Sequence, residues 1–143
     1  MNPQIVTNGA PIVISDASVF QPDLSIVVPI YNEVESIPSL LEAISVCLAE
    51  HCLSYEIICV DDGSRDGSDQ LLKQQAQLRD NLKAVILRRN YGQTAAMAAG
   101  FSHARGKVVV TLDGDLQNDP ADIPILVEKL NEGYDLVSGW RKN

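Results

Sequence analysis

From Leu24 onward, short runs of consecutive apolar residues alternate with longer stretches in which apolar residues recur every three or four positions. The first kind predicts buried strands and the second amphipathic helices. Strands are expected at Leu24–Ile30, 55–60, 82–87, 107–112 and 134–139. The spacing of Ile37, Leu40, Leu41, Ile44 and Leu48 predicts a helix behind Ser36 as N-cap, with Pro38 in its first turn. A second helix should carry Leu71, Leu72 and Leu78, capped by Ser64 or Asp66, and a third should cover 93–105. A fourth has Asp119 as N-cap, Pro120 at its first position, Gly133 past its end, and Ile123, Leu126, Val127 and Leu130 as its buried stripe. In the third helix Gly92, Ala96, Gly100 and Ala104 form a ridge of small side chains, suited to close packing on a sheet. Before Leu24 the scattered prolines, asparagines and Gly9 make residues 1–23 a tail whose order the composition does not predict.

Strands rich in β-branched residues alternating with helices predict an α/β fold, a mainly parallel sheet with helices on both faces. In such sheets ligands bind beyond the carboxyl ends of the strands. The polar clusters fall there: 29–33, 61–64, 88–92 and 113–117 each follow an expected strand, so one rim collects all four. Pro29, which has no ladder N–H, should end its strand, and Tyr31 offers a ring for stacking a base. Asp61 and Asp62 leave a buried strand, where a carboxylate can accept from the ring or ribose donors of a nucleoside, or simply form a turn and helix cap. Asp113 and Asp115 repel unless a cation lies between them, and oxygen ligands of this kind suit Mg²⁺ or Mn²⁺ completed by water and substrate phosphates. The plainer reading of that pair is a strand end.

At 143 residues and 45% hydrophobic content, the chain can bury one sizeable core. A net charge of −8 argues against nucleic acid and anionic membrane surfaces as partners. An acidic protein that binds phosphates needs metal ions or placed arginines, for which Arg88, Arg89, Arg105 and Arg141 are candidates. Arg88 and Arg89 could equally face solvent, and His103 reads as a surface histidine. Cys47, Cys52 and Cys59 form no CxxC pair, and their apolar neighbours predict buried, reduced thiols suited to the cytosol. The first 23 residues lack the features of a signal peptide, and no segment approaches the roughly 20 apolar residues that span a bilayer, so the chain as given is expected to be soluble. Neither a Walker-type loop nor a GxGxxG fingerprint occurs.

Taken together, 27–33 (VVPIYNE), 60–64 (VDDGS), 89–93 (RNYGQ) and 112–118 (LDGDLQN) resemble, in order and spacing, the nucleotide-sugar half of family 2 glycosyltransferases with the GT-A fold. The resemblance covers 24–143 and is strongest to the polyprenyl-phosphate branch, which includes dolichyl-phosphate mannose synthases, bactoprenol glucosyltransferases and undecaprenyl-phosphate aminoarabinose transferases. It implies that Pro29, Tyr31, Glu33, Cys59 and Asp61 surround the nucleoside, Cys59 through backbone or packing only. It further implies that Asp113 and Gly114 lie along the ribose and diphosphate, that Asp115 and Gln117 hold the Mg²⁺ or Mn²⁺, and that Arg141 lies near the donor phosphates, with Asp115 and Arg141 as the catalytic pair.

The implied activity is metal-dependent, inverting transfer of a sugar from a nucleotide diphosphate, UDP favoured, to a polyprenyl phosphate at the cytosolic membrane face. The resemblance also implies an N-terminal fragment of a longer enzyme, truncated before its acceptor-binding elements, with room for a homo-oligomer in the full-length protein. A non-catalytic nucleotide-sugar-binding module is the alternative. A receiver-type phosphoacceptor domain would place its acidic pair after the first strand, whereas Asp61 and Asp62 follow the second expected strand.

Overall fold

In the computed structural model, residues 4–6, 12–15 and 21–137 are described. Six strands form one sheet: β1 (Gln4–Val6), β2 (Ile12–Ser15), β3 (Leu24–Ile30), β4 (Tyr55–Asp61), β5 (Leu82–Ile86) and β6 (Val108–Thr111). Among the described residues four helices accompany them: α1 (Ile37–Ala49), α2 (Ser68–Leu78), α3 (Gln93–His103) and α4 (Asp122–Asn131). The spatial order is β1-β2-β5-β4-β3-β6; β3 to β6 run parallel, and β1 and β2 join antiparallel at the β5 edge. Part of the segment read as a tail is therefore a two-stranded addition to the sheet.

The strand order has a turning point. From β3 the chain steps to β4 and β5 through α1 and α2, then α3 carries it back across both strands to β6, on the far side of β3. Right-handed crossovers require helices laid down in opposite directions to sit on opposite faces. Accordingly, Ile26, Val28, Ile57, Cys59 and Ala84 pack in one core with α1, α2 and α4. Val27, Ile58, Val60 and Val85 pack in a smaller core against Ala96 of α3. Single-residue alternation along β3 and β4 thus feeds two hydrophobic layers, which is why these strands read as unbroken apolar runs.

The small-residue ridge serves close packing: a methyl group at Gly100 would run into Val27 Cγ1. At the rim formed by the amino ends of the strands, Lys83 Nζ donates to Glu56 Oε1 at 3.2 Å and to the carbonyl of His103 at 3.3 Å, anchoring the last turn of α3. Glu56 is buried there, and removing one partner of such a pair leaves an uncompensated charge, at a cost of about 3–5 kcal/mol. Burial, aided by the charge of Lys83, lowers the His103 pKa.

Several local expectations need correction. Pro29 does not end its strand, which continues to Ile30. Along β3 the even-numbered groups face β4, as Leu24 N–H donating to Ser54 O and Ile30 O accepting from Asp62 N–H show. Pro29 therefore faces β6, whose register has already ended at the Val27↔Thr111 pair, so no ladder bond is lost. Ser36 occupies the α1 N-cap position without a capping bond, and its hydroxyl donates instead to Glu33 Oε2. Gly67, in the left-handed region, is the N-cap of α2, and Asp66 accepts from Ser68 N–H and Oγ–H. Asp119 and Pro120 form a tight turn ahead of α4, which starts at Asp122, and the stripe of α4 is buried at Ile123 and Val127, with Leu126 and Leu130 half-buried. Helix α3 stops at His103, short of Arg105. On α2 the buried positions are Ser68, Leu72 and Ala76, with Leu71 half-buried against the core, while Leu78 is exposed. Of the three thiols only Cys59 is buried; Cys47 is half-buried and Cys52 exposed. Residues 134–137 are not in a strand, and the remainder of the strand expected at 134–139 lies outside the described residues.

Candidate functional site

Where β3 and β6 part at the turning point, their carboxyl ends open a cleft of about 480 Å³. Pro29, Tyr31 and Glu33 from the β3 end form one wall, Asn90, Gly92 and Gln93 from the start of α3 form another, and Asp113, Gly114 and Asp115 form the floor after β6. Gly114 allows the close approach: a Cβ there would lie 2.7 Å from Ile30 Cδ1 and 3.1 Å from Pro29 O. A second cavity of about 510 Å³ adjoins the first and shares Tyr31 and Asn90 with it. Asp61, Lys73, Arg88 and Arg89 line this second cavity.

The loops after β3 and β4 are laced together by side-chain to backbone hydrogen bonds. Ser64 Oγ accepts from Asn32 N–H at 2.8 Å, Asn32 Oδ1 accepts from Arg65 N–H at 2.9 Å, and Asp66 Oδ2 accepts from Val34 N–H at 3.1 Å. Ser68 Oγ accepts from Glu33 N–H at 3.1 Å. These bonds hold Asn32 in the left-handed region, φ 52°, and turn Tyr31 and Glu33 into the cleft. Burial tends to raise the Asp66 pKa, but the hydrogen bonds from Ser68 and Val34 outweigh it and hold the carboxyl below its usual value.

The two neighbouring aspartates at the β4 end differ in their partners. Asp62 Oδ1 accepts from Tyr91 N–H at 2.8 Å and its Oδ2 from Gly92 N–H at 3.1 Å. Asp61 Oδ2 accepts from Ser64 N–H at 3.1 Å, whereas Asp61 Oδ1 is buried with no partner. Burial raises the Asp61 pKa, against the hydrogen bonds of Ser64 that favour its charged form. Among the described residues Asp61 Oδ1 is the one buried side-chain polar atom left without a hydrogen bond. Such an atom costs about 1–3 kcal/mol unless something donates to it.

After β6 two of the bonds are local, and a third, from Gln93 Nε2 to Asp113 Oδ1, comes from the start of α3 at 3.5 Å. Asn118 Oδ1 accepts from Asp113 N–H at 2.9 Å, and Asp115 Oδ1 accepts from Gln117 N–H at 3.1 Å across Leu116, which has φ 64°. Asp113 and Asp115 bring hard oxygen donors, and among the described residues no group of three or more His, Cys, Asp or Glu side chains converges as a metal cage. The donor set fits a divalent cation that takes its other ligands from water and phosphate.

Six of the residues singled out from sequence, Pro29, Tyr31, Glu33, Asp113, Gly114 and Asp115, line the cleft, and Asp61 lines the adjoining cavity. Cys59 lines neither; its side chain lies in the core, where burial pushes the thiol pKa up to about 12. Gln117 borders a third cavity, of about 1010 Å³, between α4 and β6, which it shares with Asp113. Arg141 lies outside the described residues. Arg88 and Arg89 reach the site, and the Arg89 guanidinium lies 4.8 Å over the Tyr91 ring. Arg105, in the turn before β6, belongs to the opposite rim. Asn90, Gln93 and Lys73 had no role assigned from sequence. The first two lie in the 89–93 string quoted above, while Lys73, on the polar face of α2, gave no signal.

A mainly parallel sheet with an acid-lined cleft at its turning point defines an α/β domain whose site lies where such sheets take their ligands. The family model of Glycosyl transferase family 2 matches residues 25–143, and the chain belongs to that family. It is 54% identical over 121 residues to an undecaprenyl-phosphate 4-deoxy-4-formamido-L-arabinose transferase of Pseudomonas fluorescens (strain SBW25), covering 84% of this chain and 36% of that protein. A protein of the same name from Proteus mirabilis (strain HI4320) is 50% identical, with 84% of this chain and 37% of the relative covered. The chain thus spans little more than a third of these curated relatives. Among solved structures it resembles the mannosyltransferase PcManGT from Pyrobaculum calidifontis in complex with GDP-Man and Mn²⁺, with a TM-score of 0.59, 28% identity, and 73% of this chain and 30% of that one covered. A second is glucosyl-3-phosphoglycerate synthase from Mycobacterium tuberculosis in complex with UDP, with a TM-score of 0.59, 26% identity, and 78% and 41% covered. The fold is that of the GT-A glycosyltransferases.

Proposed function

We propose that this chain is the donor-binding part of an inverting glycosyltransferase that moves a sugar from a nucleotide diphosphate, UDP favoured, to a polyprenyl phosphate at the cytosolic face of a membrane. The observation that carries the reading is the orphaned Asp61 Oδ1, buried at the wall of a cavity that opens past Tyr31 into an acidic cleft. A uracil imide N–H is a donor that would satisfy it, with the diphosphate extending from that cavity toward Asp113 and Asp115. The names of the relatives, undecaprenyl-phosphate transferases, suggest the acceptor class, and PcManGT was solved with both a nucleotide sugar and Mn²⁺.

In this reading Asp61 and Tyr31 hold the nucleoside, Gly114 leaves room for the ribose and diphosphate, and Asp113 and Asp115, with the Gln117 amide oxygen, would hold Mg²⁺ or Mn²⁺. The ion, when bound, offsets the charge that develops on the departing diphosphate. The acceptor needs little activation, because a phosphate monoester has a second pKa of about 6 and is already anionic near neutral pH. No carboxylate base is therefore assigned to the acceptor. Arg141 is assigned to the donor phosphates, and acceptor-binding groups to the part of the relatives that this chain does not span. Among the described residues no helix is long and apolar enough to cross a membrane.

Calorimetric titration of the 143-residue chain with UDP, UDP-sugars, CDP and GDP, with Mn²⁺, Mg²⁺ or chelator, tests the reading. Uridine nucleotides should bind best and lose most of their affinity on chelation. Equal affinity with and without chelator would remove the metal bridge, and preference for CDP would remove the role of Asp61.

A further inference from the structure

Asp62 lies beside the nucleoside aspartate and borders the cleft, yet it is only 4% exposed and both its carboxylate oxygens are engaged by backbone. We infer that Asp62 is a positioning residue, which sets the α3 wall of the donor cleft and, through Gln93, orients Asp113. This inference rests on the function proposed above.

Its carboxylate accepts from two successive backbone N–H groups, those of Tyr91 and Gly92, while its own N–H donates to Ile30 O at 2.8 Å. One residue thereby joins the end of β3, the end of β4 and the start of α3. Only a carboxylate serves here: an asparagine would turn an NH₂ group toward one of the two N–H donors. The clamped segment is otherwise hard to hold. Gly92 has φ 104° and ψ 160°, outside the range of ordinary side chains. Gly63, at φ 74°, is packed so tightly that a Cβ would overlap Asn90 N and the Arg89 carbonyl carbon. Two devices, a buried carboxylate and a missing side chain, thus fix the same loop.

That loop presents Asn90, Gly92 and Gln93 to the cleft, opposite Tyr31 and Glu33. Gln93 Nε2 makes a long hydrogen bond, 3.5 Å, to Asp113 Oδ1. Gln93 bridges from the clamped loop to the carboxylate that follows β6. A carboxylate meant for a cation and a diphosphate depends on such outer partners, whose loss typically costs about 10–100-fold in metal affinity.

The test uses the 143-residue chain with Asp62→Asn, Gln93→Ala and the double variant. Mn²⁺-dependent UDP binding is measured by calorimetry, uridine binding by NMR titration, and hydrogen exchange at Tyr91 and Gly92 in the ligand-free chain. Each single change should weaken Mn²⁺-dependent UDP binding by about tenfold and leave uridine binding within about twofold. The double variant should be no weaker than Asp62→Asn alone, because the two act along one path. Additive losses, or parallel losses of uridine and UDP, would reduce Asp62 to a stabilising residue and overturn the inference. Should Asp62→Asn fail to fold, undiminished Mn²⁺-dependent UDP binding by Gln93→Ala alone overturns it. Absence of UDP binding by the unmodified chain would defeat the proposed function instead. The clamp then stands or falls on exchange, with unprotected Tyr91 and Gly92 amides refuting it.

Discussion

The end of β4 and the segment after β6 each bring a pair of aspartates to the site, Asp61 with Asp62 and Asp113 with Asp115, but the first pair is built into the fold and the second rests largely on its own segment. Asp61 and Asp62 are buried, and their loop exchanges hydrogen bonds with segments about 30 residues away in sequence. Asp115 is exposed, its hydrogen-bond donor Gln117 is its near neighbour in sequence, and Leu116 between them holds a left-handed backbone with 43% of its surface in solvent. The difference assigns rigidity to the end of the site that, in the proposed function, would read a base and adjustability to the end that would share a cation with a diphosphate. Preorganisation reduces the ordering cost of binding, so base selectivity should belong to the chain alone and phosphate affinity should depend on the ion.

The largest effect that would break this comparison is on stability. Gly63→Ala combines a positive φ with overlap against backbone atoms of residues 89 and 90, so it should destabilise the fold by more than about 2 kcal/mol. Gly114→Ala meets the flexible end of Ile30 first and should cost about 1 kcal/mol while narrowing the cleft. Urea unfolding of both variants measures this; equal losses would mean that the two loops are equally built in.

Next in size is Asp115→Asn, which keeps the shape and removes the charge. The unfolding free energy should change by less than about 0.5 kcal/mol, while Mn²⁺-dependent UDP affinity drops by about tenfold or more. Calorimetry beside thermal unfolding separates the two, and a collapse of stability with normal binding in the folded fraction would return Asp115 to a mere strand-end role.

A smaller effect sharpens the nucleoside end. Because burial raises the Asp61 pKa, the native state binds more protons than the unfolded state between the ordinary carboxylate value and the raised one. Stability therefore falls as pH rises through that window, and the ionised group is a burden at neutral pH. Asp61→Asn should unfold at a slightly higher temperature than the parent at pH 7, with the gap closing as pH is lowered toward 4. It should also lose preference for uracil over cytosine. A variant less stable than the parent at pH 7 would contradict the orphaned carboxylate.

The smallest expected change is Leu116→Gly. Relief of the left-handed backbone should offset the entropy that glycine adds to the unfolded chain, for a net change within about 1 kcal/mol of zero and toward greater stability. A clear loss in urea unfolding would show that the Leu116 side chain holds the loop.

Much of the sheet was legible because β3 and β4 are buried on both faces and so carry consecutive apolar residues. The rim was legible too, since all four polar clusters fall at the carboxyl ends of parallel strands, which share one edge of the sheet. The strands β1 and β2 were not: three and four residues long among prolines and asparagines, they exist through pairing with the distant β5 edge. Nor does the string Asp61-Asp62 distinguish its members, since their opposite roles arise from where Tyr91 and Gly92 lie in space. Pro29 misled for a related reason, because a missing N–H matters only if a neighbouring strand is there to receive it.

The uneven burial of the three cysteines has a practical consequence. Cys52 is exposed in the turn before β4, whereas the Cys59 thiol is sealed in the core with its pKa near 12, and Cys47 is half-buried in α1. At about 3.3 Å per residue, the length of β4 puts roughly 20 Å between Cys52 and the Asp61 rim. A maleimide dye or surface tether attached at Cys52 would leave the cleft on the rim opposite the attachment, so immobilised chains could be screened with nucleotide sugars without adding a residue.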